Sequence, residues 1–349
     1  MTKARGKKLK KIATWTMSAL LTGVAVLITV TVGWRPLLGA KSRPLTERHF
    51  ERTPERLERG KYLVNSVALC FDCHAQAIKD FQDVKPGEAP IFAKMGSGRV
   101  MFQEGKARIV APNITPDSET GAGTWTDDQF ARAIREGIGH DGRTLFPLMP
   151  YQDFRYMSDE DLASVVVYVR SLEPVHNALP KTAVPFPLSR LINSAPQPLQ
   201  GPVMADFPDP IARGKYLTQI AHCVNCHTPK DKMGQPMPGM QFAGGEPFGP
   251  KVVSANITMD PSGISYYDEK LFMNVLRTGH VGARGLNAPM PWWFFKNMSD
   301  DDLKAIFAYL RTVKPVEHRV DNADGVTECR KCKGKHGAGK DNGSGKDNS

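Results

Sequence analysis

The chain has 349 residues, 41% hydrophobic and 23% charged, with a formal net charge of +10, which is enough for about two ordinary domains with cores of their own. The charge is concentrated at the ends. Lys3, Arg5, Lys7, Lys8, Lys10 and Lys11 crowd the N-terminus, residues 319–349 carry seven basic against five acidic side chains, and the stretch between is left at +2, with no basic stripe interleaved with aromatics; nucleic acid is excluded as an expected partner.

Behind the basic segment 1–11, an uncharged run from Ile12 to Trp34 extends for 23 residues, long enough to cross a hydrocarbon core as a helix. Positive charge before it places the N-terminus in the cytoplasm and the bulk of the chain outside. The competing reading is a cleaved signal peptide. Its apolar core should be shorter, and Leu38 stands where a cleavage site wants a small residue. Residues 12–34 are therefore expected to be a transmembrane anchor, with 35–50 as a linker.

Cys70-Phe71-Asp72-Cys73-His74 follows, and Cys223-Val224-Asn225-Cys226-His227 repeats its pattern. Cys-x-x-Cys-His is the attachment sequence for c-type haem: the thiols form thioethers with the vinyl groups, and the histidine is placed as the proximal iron ligand. A lone Cys-x-x-Cys would fit a zinc site or a redox pair equally well. Here matching segments surround both motifs. Arg59-Gly60-Lys61-Tyr62-Leu63 pairs with Arg213-Gly214-Lys215-Tyr216-Leu217, Asn113-Ile114-Thr115 with Asn256-Ile257-Thr258, Leu148-Met149-Pro150 with Pro289-Met290-Pro291, Met157-Ser158-Asp159 with Met298-Ser299-Asp300, and Pro174-Val175 with Pro315-Val316. This is an internal duplication, with one domain over 51–175 and the other over 209–318.

Within each repeat the pattern predicts helix. Thr126 or Asp268 caps a short helix that stops at Gly137 or Gly279. Ser158 and Ser299 open Ser-x-x-Asp capping boxes in which Asp161 or Asp302 reaches back to the free amides. Behind them, Leu162, Val165, Val166, Val169 and Leu172, and Leu303, Ile306, Phe307, Leu310 and Val313, recur at helical spacing. These last helices should pack on those that lead into the haem motifs, and little strand is expected.

The sixth iron position falls to Met149, 75 residues after His74, and to Met290, 63 after His227. Each stands in a proline-bracketed loop that can present one fixed sulfur. Methionine most often fills gaps in a core, but matched position in two diverged repeats favours the ligand role. His140 and His280 lie upstream of those methionines, and loop histidines are usually surface residues. His222 has no counterpart, the first repeat having Leu69 there. His49, His176 and His318 read as solvated, Asn113 and Asn256 as turn caps, and Trp125, Tyr267, Trp292 and Trp293 as pocket walls.

Residues 174–210 contain nine prolines, which predicts a stiff extended spacer, with the linker proper at 176–208. The tail 319–349 has little to bury and is expected to be disordered. Its Cys329 and Cys332 are followed by Lys333. Cys-x-x-Cys-Lys resembles a rare haem site, but only 17 residues follow Cys332, so a disulfide or an idle thiol pair is the expectation.

The segments Asn113-Ile114-Thr115-Pro116-Asp117, Gly121 to Asp127, Asp141-Gly142-Arg143 through Met149-Pro150-Tyr151, and Met157 to Leu162 resemble the membrane-bound multihaem cytochrome c subunits of bacterial alcohol, aldehyde and gluconate dehydrogenases. The resemblance covers residues from about 55 to 317. It implies an all-α chain of two tandem class I cytochrome c domains after an N-terminal transmembrane helix. The two covalent haem c groups would be held by Cys70, Cys73 and His74 with Met149, and by Cys223, Cys226 and His227 with Met290. It also implies a periplasm-facing electron carrier of the inner membrane, without catalytic residues of its own, between a periplasmic dehydrogenase and a quinone or terminal oxidase. The best-known members carry three haem domains; this chain has two, and the family does not choose the substrate. Two alternatives stand beside this expectation. One is the dihaem subunit of a haem-copper oxidase. The other is a peroxidase-type or thiosulfate-oxidising enzyme, which needs a haem without a stable methionine, whereas both repeats keep one.

Overall fold

The computed structural model describes residues 2–80, 83–231, 234–248 and 252–320, together with 327–328 and 335–336. The Cys329/Cys332 pair and most of the tail expected to be disordered lie outside the described residues. In chain order come α1 (Thr2–Thr31), α2 (Arg35–Leu38), α3 (Pro54–Tyr62), a π-helical turn Leu63–Val67 and α4 (Cys70–His74). Two antiparallel hairpins follow: β1 (Gln76–Lys79) with β2 (Ile91–Ala93), and β3 (Arg99–Glu104) with β4 (Ala107–Ala111). The first repeat closes with α5 (Asp127–Glu136), α6 (Tyr151–Phe154) and α7 (Asp159–Val169). Then come α8 (Leu188–Leu191) with a 3₁₀ turn Ile192–Ser194, α9 (Pro210–Ile220), α10 (Cys223–His227) and α11 (Glu269–Thr278). The remaining elements are β5 (His280–Val281) paired with β6 (Arg284–Gly285), α12 (Trp292–Phe295), α13 (Asp300–Leu310), and β7 (Thr327–Glu328) paired with β8 (Lys335–His336).

The expected all-α fold of two tandem class I cytochrome c domains does not hold. The protein mixes helices with small two-stranded sheets, and its repeats are not equal units. Asn113 follows Cys73 by 40 residues but Asn256 follows Cys226 by only 30, and β1 to β4 all lie in the longer stretch. The corresponding stretch of the second repeat holds, among the described residues, only the isolated bridges Lys230–Pro236 and Pro247–Val253. The hairpin signal was there to read: Val100, Met101 and Phe102 face Ile109 and Val110 across Gly105, which sits at φ 53°, the left-handed region that glycine enters cheaply. The Pro-rich spacer is also not wholly extended, since α8 and the 3₁₀ turn form between its prolines.

What the repeats share is a helix crossing. α3 packs on α7 and α9 on α13, as the apolar periodicities require. The crossings are set by glycine: a Cβ on Gly60 would lie 1.9 Å from the Ser164 carbonyl oxygen, and one on Gly214 would lie 1.9 Å from that of Ala305. Around them Leu63, Val64, Leu162 and Val166, and Leu217, Ile220, Leu303 and Leu310, are all but sealed from solvent. Thr126 and Gln129 form a reciprocal capping box on α5, Asp268 caps α11, and Gly137 and Gly279 end these helices at φ 74° and 71°.

The Ser-x-x-Asp boxes form only by half. Ser158 and Ser299 accept from the Asp161 and Asp302 amides, but the two aspartates turn away from their own helix. Asp161 takes both Arg59 nitrogens at 2.8 and 2.9 Å and, from the other repeat, the Tyr216 hydroxyl at 2.6 Å. Asp302 takes Arg213 of its own repeat and the Tyr62 hydroxyl of the other at 2.5 Å. The same hydroxyls accept from the amides left free, Ser158 N to Tyr216 and Ser299 N to Tyr62, both at 3.1 Å. A tyrosine supplied in exchange thus finishes each cap. Burial and the neighbouring Asp302 push Tyr62 up to about 12, so it remains a donor. Around this exchange α6 packs on α9, and α12 on the π-helical turn.

The N-terminal linker is strapped to the first repeat. Arg43 reaches Asp128 at 2.7 Å and Glu136 at 2.8 Å, and the Thr46 and Phe50 amides donate to Asp128 and Asp127. Burial alone would raise the Asp128 carboxyl; its bonds to Arg43 and the Thr46 amide outweigh that and hold it below the usual range.

Replacing Gly60 or Gly214 by alanine is expected to lower the unfolding free energy by about 1–3 kcal/mol, the usual cost of overpacking. Gly201→Ala, where nothing lies within 4 Å, should leave it unchanged. Thermal or denaturant unfolding of the three variants checks this, and equal midpoints would remove the glycine crossings as a constraint.

Candidate haem sites

Both Cys-x-x-Cys-His motifs form a single helical turn entered through a left-handed residue, Leu69 at φ 55° and His222 at φ 62°. Non-glycine residues adopt this conformation at a cost. Here it reverses the chain between the incoming helix and the cysteines, so that each motif lies against the crossing that precedes it.

His74 and His227 are buried, and the Nδ1–H of each donates to a backbone carbonyl, that of Pro112 at 2.8 Å and that of Ala255 at 2.7 Å. With Nδ1 carrying the proton, Nε2 keeps its lone pair, the state and aim a metal-ligating imidazole needs. Burial lowers both histidines' pKa, with the carbonyl bond opposing, so both stay neutral. The accepting carbonyls belong to the residues just before Asn113-Ile114-Thr115 and Asn256-Ile257-Thr258. Asn113 Oδ1 accepts from the Thr115 amide and hydroxyl at 3.0 and 2.7 Å, and its amide donates to the Val175 carbonyl at 2.7 Å. Asn256 does the same with Thr258 and Val316 at 2.9, 2.8 and 2.9 Å. These asparagines are turn caps, as expected, and they also clasp the closing Pro-Val of each repeat and fix the carbonyl that orients the histidine. Sequence reasoning missed Pro112 and Ala255; the repeated Asn-Ile-Thr was the signal for them.

Met149 and Met290 occupy the same turn. Met149 N donates to Phe146 O and Tyr151 N to Met149 O, while Met290 N donates to Asn287 O and Trp292 N to Met290 O, all within 2.8–3.1 Å. Both side chains pack half-buried against the apolar core that also holds Cys70 and Cys223. Two residues on, Tyr151 and Trp292 cover Gly137 and Gly279, where a Cβ would come within 2.6 and 2.3 Å of the rings. The Tyr151 hydroxyl and the Trp292 indole nitrogen are buried without a hydrogen-bond partner. Burial pushes Tyr151 up to about 12, so it too is a donor. Unpaired buried donors at matching places suit a group that brings its own anionic oxygens, as a haem brings its propionates.

The thiols argue the same way. Burial pushes Cys70, Cys73 and Cys223 up to about 12 and Cys226 to about 11. A reactive redox pair needs a lowered thiol pKa, and among the described residues no three His, Cys, Asp or Glu converge as a zinc cage requires. The residues fit covalent haem, with the neutral histidine as ligand.

The other histidines have separate tasks. His140 stacks on Trp125 with centroids 4.4 Å apart, and His280 packs on Gly87 of the first repeat while its Nδ1 bonds Thr278 O. His49 and His176 are exposed as expected, but His318 is not simply solvated. It is half-buried, bonds the Ala243 carbonyl at 2.9 Å and packs on Gly245. His222, unmatched in the first repeat, is buried and bonds Asp153 at 3.0 Å. Asp153 lies on α6, just behind the Met149 turn, so this contact ties the second motif to the methionine loop of the first.

Residues 211–314 match the family model described as Cytochrome c. The chain is 33% identical over 270 residues to the fructose dehydrogenase cytochrome subunit of Gluconobacter japonicus, covering 74% of this chain and 52% of that protein. It is 27% identical over 328 residues to the cytochrome c subunit of the quinone alcohol dehydrogenase of Gluconobacter oxydans, 87% of this chain and 66% of that one. A diheme cytochrome c-type protein of Cereibacter sphaeroides is 28% identical over 262 residues, 71% and 83% of the two chains. The chain spans about half the length of the fructose dehydrogenase relative.

Asn256→Ala removes the clasp, taking the Thr258 amide's acceptor and the Asn256 donor to the Val316 carbonyl, an expected loss of about 1–3 kcal/mol. Denaturant unfolding measures it; an unchanged midpoint would show that the carbonyl over His227 is held by other contacts.

Proposed function

Because this chain is a relative of cytochrome c subunits of dehydrogenases and carries a cytochrome c domain at 211–314, we propose that it is a dihaem electron carrier. In this reading it is anchored by α1 in the cytoplasmic membrane and accepts electrons from a periplasmic dehydrogenase for a quinone or terminal oxidase. The observation that carries the proposal is the twice-built site: a cysteine pair, a neutral histidine held by a carbonyl, and a methionine in a matching turn. Cys70 and Cys73 would hold one haem and Cys223 and Cys226 the other, with His74 and Met149, and His227 and Met290, as the side chains offered to the iron. Bound haem supplies a one-electron iron couple, and the chemistry on the substrate belongs to the dehydrogenase partner.

The chain's own residues set the terms of that couple. Burial keeps the histidines neutral, and the Pro112 and Ala255 carbonyls fix their tautomer and aim. The thioethers of Met149 and Met290, being soft, would favour ferrous iron and so a high potential. Tyr151 and Trp292 offer donors to the carboxylates of the group. The tyrosine exchange and the His222–Asp153 bond hold the two sites in one relation.

α1 supports the membrane placement. Its stretch Lys10–Thr31 is long and apolar enough to cross a bilayer, a property that a signal sequence shares, and none of it is buried in the protein. The lysines and Arg5 before it orient the rest of the chain to the periplasm.

Intact mass of the purified protein should show two haem additions, and Cys226→Ala should weaken or abolish attachment at the second site alone. In an optical redox titration, Met149→Ala should lower the midpoint of one haem by more than about 59 mV, tenfold for a one-electron couple, and leave the other in place. A single haem by mass, or an unchanged titration, would overturn the assignment.

A further inference from the structure

α1 ends at Thr31, and within three residues of its end the chain turns at Gly33 into α2, which packs on α8 and on the 3₁₀ turn of the inter-repeat linker. Pro36 is the buried point of this contact. Around it six large apolar side chains face outward: Trp34, Leu37 and Leu38 at 42, 60 and 74% exposure, and Phe186, Leu188 and Leu191 at 82, 45 and 42%. Three come from the segment beyond α1 and three from a segment about 150 residues later in the chain. Such a cluster from distant segments marks a contact surface.

Its position selects the occupant. The apolar stretch of α1 is 22 residues long, about 33 Å at 1.5 Å per residue, which matches a hydrocarbon core of about 30 Å. If α1 spans, its periplasmic end, and with it Trp34, lies at the headgroup level, where tryptophan is favoured. Arg35 and Arg190 sit exposed beside the patch, without an ion pair among the described residues. Apolar side chains flanked by unpaired arginines suit an interface with anionic headgroups.

The patch is also fixed to the first repeat. Asn193 in the 3₁₀ turn accepts from Thr144 at 2.7 Å, five residues before Met149, and Arg155 donates to Gln197 at 3.2 Å. Arg43 straps the other side to Asp128 and Glu136.

We infer that the surface formed by α2 and the linker helix α8 is a second membrane contact, which rests Phe186, Leu188 and Leu191 in the outer-leaflet interface and turns the first repeat toward the bilayer. The inference rests on the reading of α1 as an anchor, and its test separates the two. The full-length protein is made with p-benzoyl-phenylalanine in place of Phe186, of Leu27 within α1, or of Tyr266, which is 60% exposed on the second repeat. Each form is placed in nanodiscs of phosphatidylethanolamine and phosphatidylglycerol, irradiated, and analysed by mass. The expected result is lipid adducts at 186 and 27 and several-fold fewer at 266. Adducts at 27 with none at 186, or with protein joined at 186, would overturn the membrane contact and leave the anchor standing; protein adducts there would assign the patch to a partner subunit or a second copy. Absence of lipid at 27 would defeat the anchor itself.

Discussion

Two buried aspartates hold this molecule together. Asp161 and Asp302 each sit in the first turn of a closing helix, where negative charge is favoured by the helix dipole, and each is needed by both repeats. The arginine comes from the same repeat and the tyrosine from the other. An isolated repeat would leave each aspartate its arginine but not the tyrosine, and neither closing helix would be fully capped there. The exchange gives each half a reason to find the other and fixes an approximate twofold relation. The loop with Met149 and the motif with Cys223 then meet through Asp153 and His222.

Within a repeat the order of dependence runs through the backbone. The glycine crossing sets the entering helix, the left-handed residue turns it into the cysteine pair, and the carbonyl before Asn-Ile-Thr holds the histidine. The asparagine then clasps the Pro-Val beyond the closing helix back onto that loop. His74 with α7, and His227 with α13, thus each form one mechanical unit, although 85 and 73 residues separate the histidine from the start of its helix.

Much of this was legible in the sequence because it is local and repeated. The cysteine pairs, the helix caps at Thr126 and Asp268, the glycine stops and the apolar periodicities are short-range signals, and the duplication amplified each. What escaped was what the repeats do not share, or what depends on contacts between them. Little strand was expected, and β1 to β4 escaped because the second repeat offers no counterpart to residues 76–111, although Gly105 between β-prone residues is a hairpin signal. The capping boxes were half right because the residue that completes them, Tyr62 or Tyr216, comes from the other repeat. The Tyr-Leu in Arg-Gly-Lys-Tyr-Leu marked a conserved role between the repeats without saying where the hydroxyl goes. His222 and His318 looked idle because their partners, Asp153 and Ala243, lie 69 and 75 residues away.

The strap at Arg43 alters what the linker does. Sixteen free residues between an anchor and a soluble unit would let that unit wander over about 20 Å or more, searching for redox partners in a volume above the bilayer. Pinned at Arg43, Thr46 and Phe50, the arm has little slack. On the proposed reading of α1 as an anchor, encounter would become a two-dimensional problem, in which the protein drifts with its membrane and presents one face. A partner held in the same plane would meet it at a set height and bearing, whereas one arriving from solution would gain nothing from the tether.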